Sequence, residues 1–169
     1  MPTPNRRAFA LRAATLDDVP ALHRLMHAFA AYEKLTDRFK ITEPQLRAAL
    51  FDAKPVIEAI LAEVDGNAIG FAVWYFLFGT FSGRLGLFVE DVFVEQSWRG
   101  RGVGLALFRH MARVAQTRDC TEMLWEVLDW NTPAIDFYRR IGATPVRGWI
   151  TQQLSGDALA ALAAGAENG

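Results

Sequence analysis

The chain has 169 residues, enough for one domain with a full hydrophobic core, and at 51% apolar and 22% charged it has the composition of an ordinary globular protein. A net charge of −1 gives no global reason to expect nucleic acid or an anionic membrane as partner, and no apolar run reaches transmembrane length. The single cysteine, Cys120, has no partner for an internal disulfide, which suits a reducing cytoplasm. The N-terminus, Met1 to Arg7, is basic but has no apolar segment behind it, so it is not read as a secretory signal. One domain over residues 1–169 is expected, with 1–7 and 165–169 flexible.

Phe9 to Arg12 reads as a first strand, and Thr15-Leu-Asp-Asp18 as a capping box opening a helix. Val19, Leu22, Leu25, Met26 and Phe29 fall on one face of that helix. His23 and His27 have the spacing of a metal pair, but no third ligand accompanies them, and no metal site is expected. Thr42-Glu-Pro-Gln45 starts a second helix, ending near Phe51. Val56 to Val64, Ala68 to Phe78 and Leu85 to Val94 read as three consecutive strands, the first two joined by an Asp65-Gly66-Asn67 turn. A long helix follows, with Leu107, Phe108, Met111, Val114 and Ala115 as its buried face. Met123 to Leu128 is another strand. Asn131 then caps a short helix closed by Gly142, Val146 to Leu154 reads as a last strand, and Ser155 opens a terminal helix.

The stretch Glu90-Asp-Val-Phe-Val-Glu-Gln-Ser-Trp-Arg-Gly-Arg-Gly-Val-Gly104 organises the rest. A strand feeds a glycine loop that opens a helix. Such a loop is an anion site, because the first helical N–H groups lack intrahelical partners and the helix dipole favours negative charge there. Gly104 is followed by Leu105 and Ala106 rather than Lys-Ser/Thr, which excludes a P-loop, and Leu105 stands where a dinucleotide fingerprint needs glycine. What remains is Arg-x-x-Gly-x-Gly, at Arg99, Gly102 and Gly104.

That pattern resembles the acetyl-CoA loop of the GNAT acetyltransferase superfamily. A second block strengthens the resemblance: Asp129-Trp-Asn131-Thr-Pro133-Ala-Ile-Asp-Phe-Tyr138-Arg-Arg-Ile-Gly142-Ala143, with its Asn, helical Tyr and closing Gly-Ala. The order β-α-α-β-β-β-α-β-α-β-α also resembles the GNAT fold over nearly the whole chain. The resemblance implies an α/β (α+β) fold with a mixed, mainly antiparallel twisted sheet of about six to seven strands and about four to five helices. Within the superfamily the match is nearest the spermidine/spermine (diamine) and thialysine N-acetyltransferase branch. Ala31-Tyr32-Glu33, Val89-Glu90-Asp91, Trp98-Arg99-Gly100 and Trp130-Asn131-x-Pro133 carry it. Two departures stand out: Trp98 replaces a common Tyr, and Trp125-Glu126 replaces an apolar pair.

By this resemblance acetyl-CoA is the cosubstrate, held by Val92, Phe93, Val94, Arg99, Gly100, Arg101, Gly102, Val103, Gly104, Leu105, Asn131, Pro133, Ala134 and Tyr138. An aliphatic ammonium, with a pKa near 10.4, must lose a proton before it attacks a thioester, at a cost of roughly 4 to 5 kcal/mol at neutral pH. The resemblance assigns Glu90 as the base acting through a water, and Tyr138 suits the acid that protonates the CoA thiolate. Backbone N–H groups around Val92 to Val94 are the candidates for stabilising the oxyanion. Strand alternation puts Glu90 and Asp91 on opposite faces, so no dyad is expected unless a bulge changes the parity. No His is arranged to activate Cys120, so direct transfer is expected.

For the acceptor the resemblance points to Tyr32, Glu33, Glu90, Trp125 and Glu126. Acids with aromatics suit a polyamine or lysine-like amine. It further implies a homodimer, with no nucleic acid or membrane partner. A protein N-terminal or lysine acetyltransferase, and a non-catalytic acyl-CoA-binding sensor, remain as alternatives; retention of both Glu90 and Tyr138 argues against the sensor.

Overall fold

The computed structural model describes residues 8–165. The chain divides into two compact units, Met1–Glu126 and Val127–Gly169. The termini expected to be flexible lie, apart from Gly165, outside the described residues.

The first unit is built on one five-stranded sheet in the order β1-β2-β3-β4-β5. Its strands are β1 (Ala10–Ala13), β2 (Glu58–Val64), β3 (Asn67–Gly79), β4 (Arg84–Val94) and β5 (Met123–Trp125). All neighbours are antiparallel except β4 and β5, which run parallel from Leu87↔Met123 to Val89↔Trp125. A parallel pair needs a crossover, and helix α3 (Val103–Thr117) supplies it. Left-handed backbone at Asp65 and Gly66 (φ 51° and 77°) forms the tight β2–β3 turn.

Helices α1 (Val19–Tyr32) and α2 (Glu43–Phe51) pack one face of the sheet. Leu22, Leu25, Met26, Leu46 and Leu50 meet Ala59, Leu61, Phe71, Val73 and Phe93 there. The intervening strand residues, Ile60, Ala72, Trp74, Leu87 and Val89, are buried on the other face, where α3 covers β2 to β4. The α3 residues Val103, Leu107, Phe108, Met111 and Ala115 keep the helical period.

The entry to α1 is pinned by charge. Asp18, only 8% exposed, accepts from the Thr15 amide (2.7 Å) and from Arg12 (2.6 and 2.8 Å), and Arg12 also donates to Glu63 (2.7 Å). The Arg12 guanidinium is the main cause holding the Asp18 carboxyl well below the usual range. A capping box closes the expected start of α2, with the Thr42 amide donating to Gln45 Oε1 (2.9 Å) and the Gln45 amide to Thr42 Oγ1 (3.4 Å).

The second unit holds α4 (Thr132–Arg140) and α5 (Gly156–Ala163). Two strand expectations need correction. The strand expected from Met123 to Leu128 stops at Trp125, and Val146 to Leu154 forms no strand. Gly148, at φ 85°, breaks the extended run, and Val146, Trp149 and Ile150 stand exposed rather than alternating in and out. The sheet therefore has five strands among the described residues instead of six to seven. Among these residues no helix is long and apolar enough to cross a membrane.

Candidate active site

After β4 the chain makes a single 3₁₀ turn, Gln96–Trp98, and then the glycine loop. Gly100 and Gly102 have φ of 70° and 88°, conformations that L side chains resist. Gly102 is the N-cap of α3 and brings no capping side chain. The helical ladder begins where the Ala106 amide donates to Gly102 O (3.0 Å), so the amides of Val103, Gly104 and Leu105 lie ahead of it, without intrahelical acceptors. A Cβ built on Gly104 would meet nothing within 4 Å. No packing in the protein requires a glycine there, and a helical glycine costs up to about 1 kcal/mol relative to alanine. A diphosphate resting on the helix end needs that clearance, so the residues present fit the phosphate end of acetyl-CoA.

Beside the loop, β4 continues past the end of its pairing with β5. From Glu90 to Val94, β3 is its only strand partner among the described residues. The Glu95 amide donates to Ile69 O on β3 (2.9 Å), so by strand alternation the amide of Phe93 also faces β3, while those of Val92 and Val94 face away from it. Val94 O accepts from Arg99 Nε (2.9 Å), consistent with that direction. The Phe93 ring belongs to the core, 5.8 Å from Phe29 and 6.5 Å from Tyr32 and Phe71 between ring centroids. Of Val92, Phe93 and Val94, two turn their amides away from β3.

The acids are arranged differently from the strand-parity expectation. Val73 pairs with Asp91 and Trp74 with Val89, leaving Glu90 as the extra residue of a β-bulge. The bulge resets the alternation. Asp91 joins Val73 and Phe93 on the α1 face, and Glu90 acts electrostatically on both Asp91 and Tyr75. Asp91 and Phe93 thus share a face, as alternation expects, and the bulge takes Glu90 out of the strand register. Burial, then Glu90, then Glu33 push the Asp91 carboxyl up to about 7. Burial also raises Glu33, the C-cap of α1. Tyr75 is raised by burial and by Glu90 and Glu126. Among the described residues no ion pair joins Glu33, Glu90, Asp91 or Glu126 to a base.

Trp125 departs from the expected acceptor group. It pairs with Val89, on the α3 face, and its ring stands edge-on to Phe108 at 5.1 Å. Glu126, one residue on, acts on Tyr75 instead. Glu90 and Glu126 thus act on Tyr75, Glu90 and Glu33 act on Asp91, and the Trp125 ring packs against Phe108 of α3. Asp91 and Tyr75 are the members that sequence reasoning did not assign. Two successive acids inside an apolar strand were the available signal for Asp91.

In the second unit, the buried Asn131 caps α4 through its Oδ1, which accepts from the Ala134 amide (3.4 Å), and Pro133 sits in the first turn. Tyr138 is half-buried on α4, its ring edge-on to Phe137 at 5.6 Å, and Gly142 ends the helix at φ 91°. The other candidates have plain structural surroundings. His23 Nε2 donates to Ile41 O (2.9 Å), and the rings of His23 and His27 rest on Phe39. Burial pushes the Cys120 thiol up. Among the described residues no group of three or more His, Cys, Asp or Glu could hold a metal ion.

Known proteins give this arrangement its context. The pattern of the Acetyltransferase (GNAT) family matches residues 21–143. The chain is 34% identical to the thialysine N-epsilon-acetyltransferase of Sus scrofa, over 90% of this chain and 96% of that protein. It is 28% identical to an L-ornithine N5-acetyltransferase of Arabidopsis thaliana, over 95% of this chain and 90% of the other. Among solved structures, an integron cassette protein from the mobile metagenome of V. cholerae superposes with a TM-score of 0.77 at 26% identity, over 92% of this chain and 97% of its own. With its five-stranded mixed sheet, its glycine loop at the head of α3 and these relatives, the chain belongs to the GNAT family and is an N-acetyltransferase acting on amines.

Proposed function

We propose that the protein transfers an acetyl group directly from acetyl-CoA to a primary amine of a small polycationic acceptor, a diamine, polyamine or lysine-like amine. The observation that carries this reading is a set of four acids without a basic partner among the described residues, with Glu33 and Glu90 acting on Asp91 and Glu90 and Glu126 acting on Tyr75. Neighbouring carboxylates without a basic partner disfavour one another's charge, and a dication brings the missing countercharge. The relatives named for thialysine and ornithine acetylation support the same acceptor class.

Bound acetyl-CoA supplies an acyl thioester already activated toward amines. The backbone amides from Arg99 to Leu105 hold its diphosphate, and by resemblance to the family Asn131, Pro133 and Ala134 are further cofactor contacts. Glu90 takes a proton through a water from the bound ammonium, and the neutral amine that results attacks the acyl carbon; the second N–H proton, lost as the intermediate collapses, replaces the one that Tyr138 gives to the sulfur. Asp91, Glu33, Glu126 and the Tyr32 ring bind and orient the acceptor. The amides of Val92 and Val94 donate to the acyl oxygen, and the Tyr138 hydroxyl gives its proton to the departing sulfur. The active species is a homodimer in the cytoplasm, a reading drawn from resemblance to the diamine branch and from the single unpaired cysteine.

Thiol release from acetyl-CoA, measured with thialysine, L-ornithine, spermidine and a peptide amine, tests the reading. The account expects kcat/KM for a dicationic small amine to exceed that for the peptide by at least about tenfold, the equivalent of 1.4 kcal/mol. Activity on the peptide alone would assign the site to protein acetylation, and no thiol release with any amine would leave only acyl-CoA binding.

A further inference from the structure

The side chain of Arg99, the first residue of the Arg-x-x-Gly-x-Gly pattern, does not follow its backbone. Arg99 begins the stretch that must settle around a diphosphate, yet its guanidinium turns back toward α1. Nε donates to Val94 O at 2.9 Å, and the guanidinium carbon stands 4.3 Å from the Tyr32 ring centroid and 5.5 Å from that of Phe93. Tyr32 is the last residue of α1, and Glu33, which acts electrostatically on Asp91, is its C-cap. One residue thus joins three parts of the site: the open end of β4, the loop, and the helix end that presents Glu33 to the acids.

We propose that Arg99 is a positioning residue that couples the cofactor loop to the amine side of the site. Its contribution to acetyl-CoA comes from the backbone, while its side chain clamps Tyr32. A loop fixed by the cofactor holds Arg99 in place, the guanidinium holds the Tyr32 ring, and Glu33 is kept beside Asp91. Coenzyme A therefore favours the amine-ready geometry, and by reciprocity the amine tightens coenzyme A by the same factor. A stacked guanidinium supports a coupling of about three- to tenfold. Lysine cannot replace it, because an ammonium has neither the flat face nor the Nε donor.

The inference rests on the acetyl-CoA reading of the loop and is tested separately from it by amide hydrogen exchange on the full chain, with and without coenzyme A. In the wild-type protein, coenzyme A should slow exchange at residues 99–106 and also at the α1 end, residues 32–35. Arg99→Lys, Arg99→Gln and Tyr32→Leu should keep the loop protection and lose the α1 protection, while Tyr32→Phe, which retains a ring, should keep both. With thialysine as acceptor, Arg99→Lys should raise the amine KM about three- to tenfold and, by reciprocity, the acetyl-CoA KM at saturating amine by a like factor, while coenzyme A affinity measured without amine stays within about twofold. Loop protection without α1 protection in the wild type would overturn the inference, as would α1 protection that survives Arg99→Gln. A wild-type loop that coenzyme A does not protect would sink the cofactor reading itself.

Discussion

Replacing Asp91 by Asn should stabilise the protein, and increasingly so as pH rises. The folded carboxyl titrates at about 7 against 3.8 for the ordinary group, so between these values the folded state binds a proton that the unfolded state has released. A raised carboxyl pKa makes stability fall as pH rises through the window, from about 4 until the folded group has ionised above 7. Three units at about 1.36 kcal/mol each give a full cost of about 4 kcal/mol, of which about 3 kcal/mol accrues between pH 5 and 8. Asparagine does not titrate. The difference in unfolding free energy between Asp91→Asn and wild type, from urea denaturation with a common m-value, should therefore widen by about 3 kcal/mol between pH 5 and pH 8. Saturating diamine should narrow the gap at pH 8, because an ammonium beside Asp91 offsets its charge. A gap that stays constant within about 1 kcal/mol across that range would refute the burial-and-neighbour account of Asp91.

Other expectations follow from the same geometry. Gly104→Ala should raise the melting temperature, through a gain of up to about 1 kcal/mol in helix propensity, while weakening coenzyme A in calorimetric titration by about tenfold; loss of both stability and affinity would point to a packing role. Tyr138→Phe should lower kcat about 100-fold or more in the thiol-release assay with little change in either KM, and an unchanged kcat would remove Tyr138 as the acid. Glu126→Gln should raise KM for thialysine about fivefold relative to butylamine, whose tail is neutral; equal effects on the two amines would place Glu126 outside the acceptor site.

The two ends of the site were legible to different degrees. Gly102 and Gly104 announce a ligand loop because glycine spacing after a strand has few other uses, and the apolar periods of α1 and α3 place them on the sheet without ambiguity. The bulge at Glu90 was not legible. An extra residue in β4 depends on how β3 pairs with it, and no local pattern records that pairing, so alternation alone could not show that Glu90 falls out of the register while Asp91 keeps its place beside Val73. Trp125 misled for a related reason. Its face follows from parallel pairing with Val89, a long-range contact, and burial against Phe108 outweighs whatever an aromatic beside an acid suggests. The missing last strand turned on Gly148: its positive φ interrupts a run that composition alone reads as extended.

The most direct test of the central claim is a crystal structure of the protein with coenzyme A and a diamine. The account predicts diphosphate oxygens within hydrogen-bonding distance of the amides between Arg99 and Leu105, and the amine among Glu33, Glu90, Asp91 and Glu126. A diphosphate bound away from the α3 N-terminus, or an amine lodged against Trp125 on the α3 face, would contradict it.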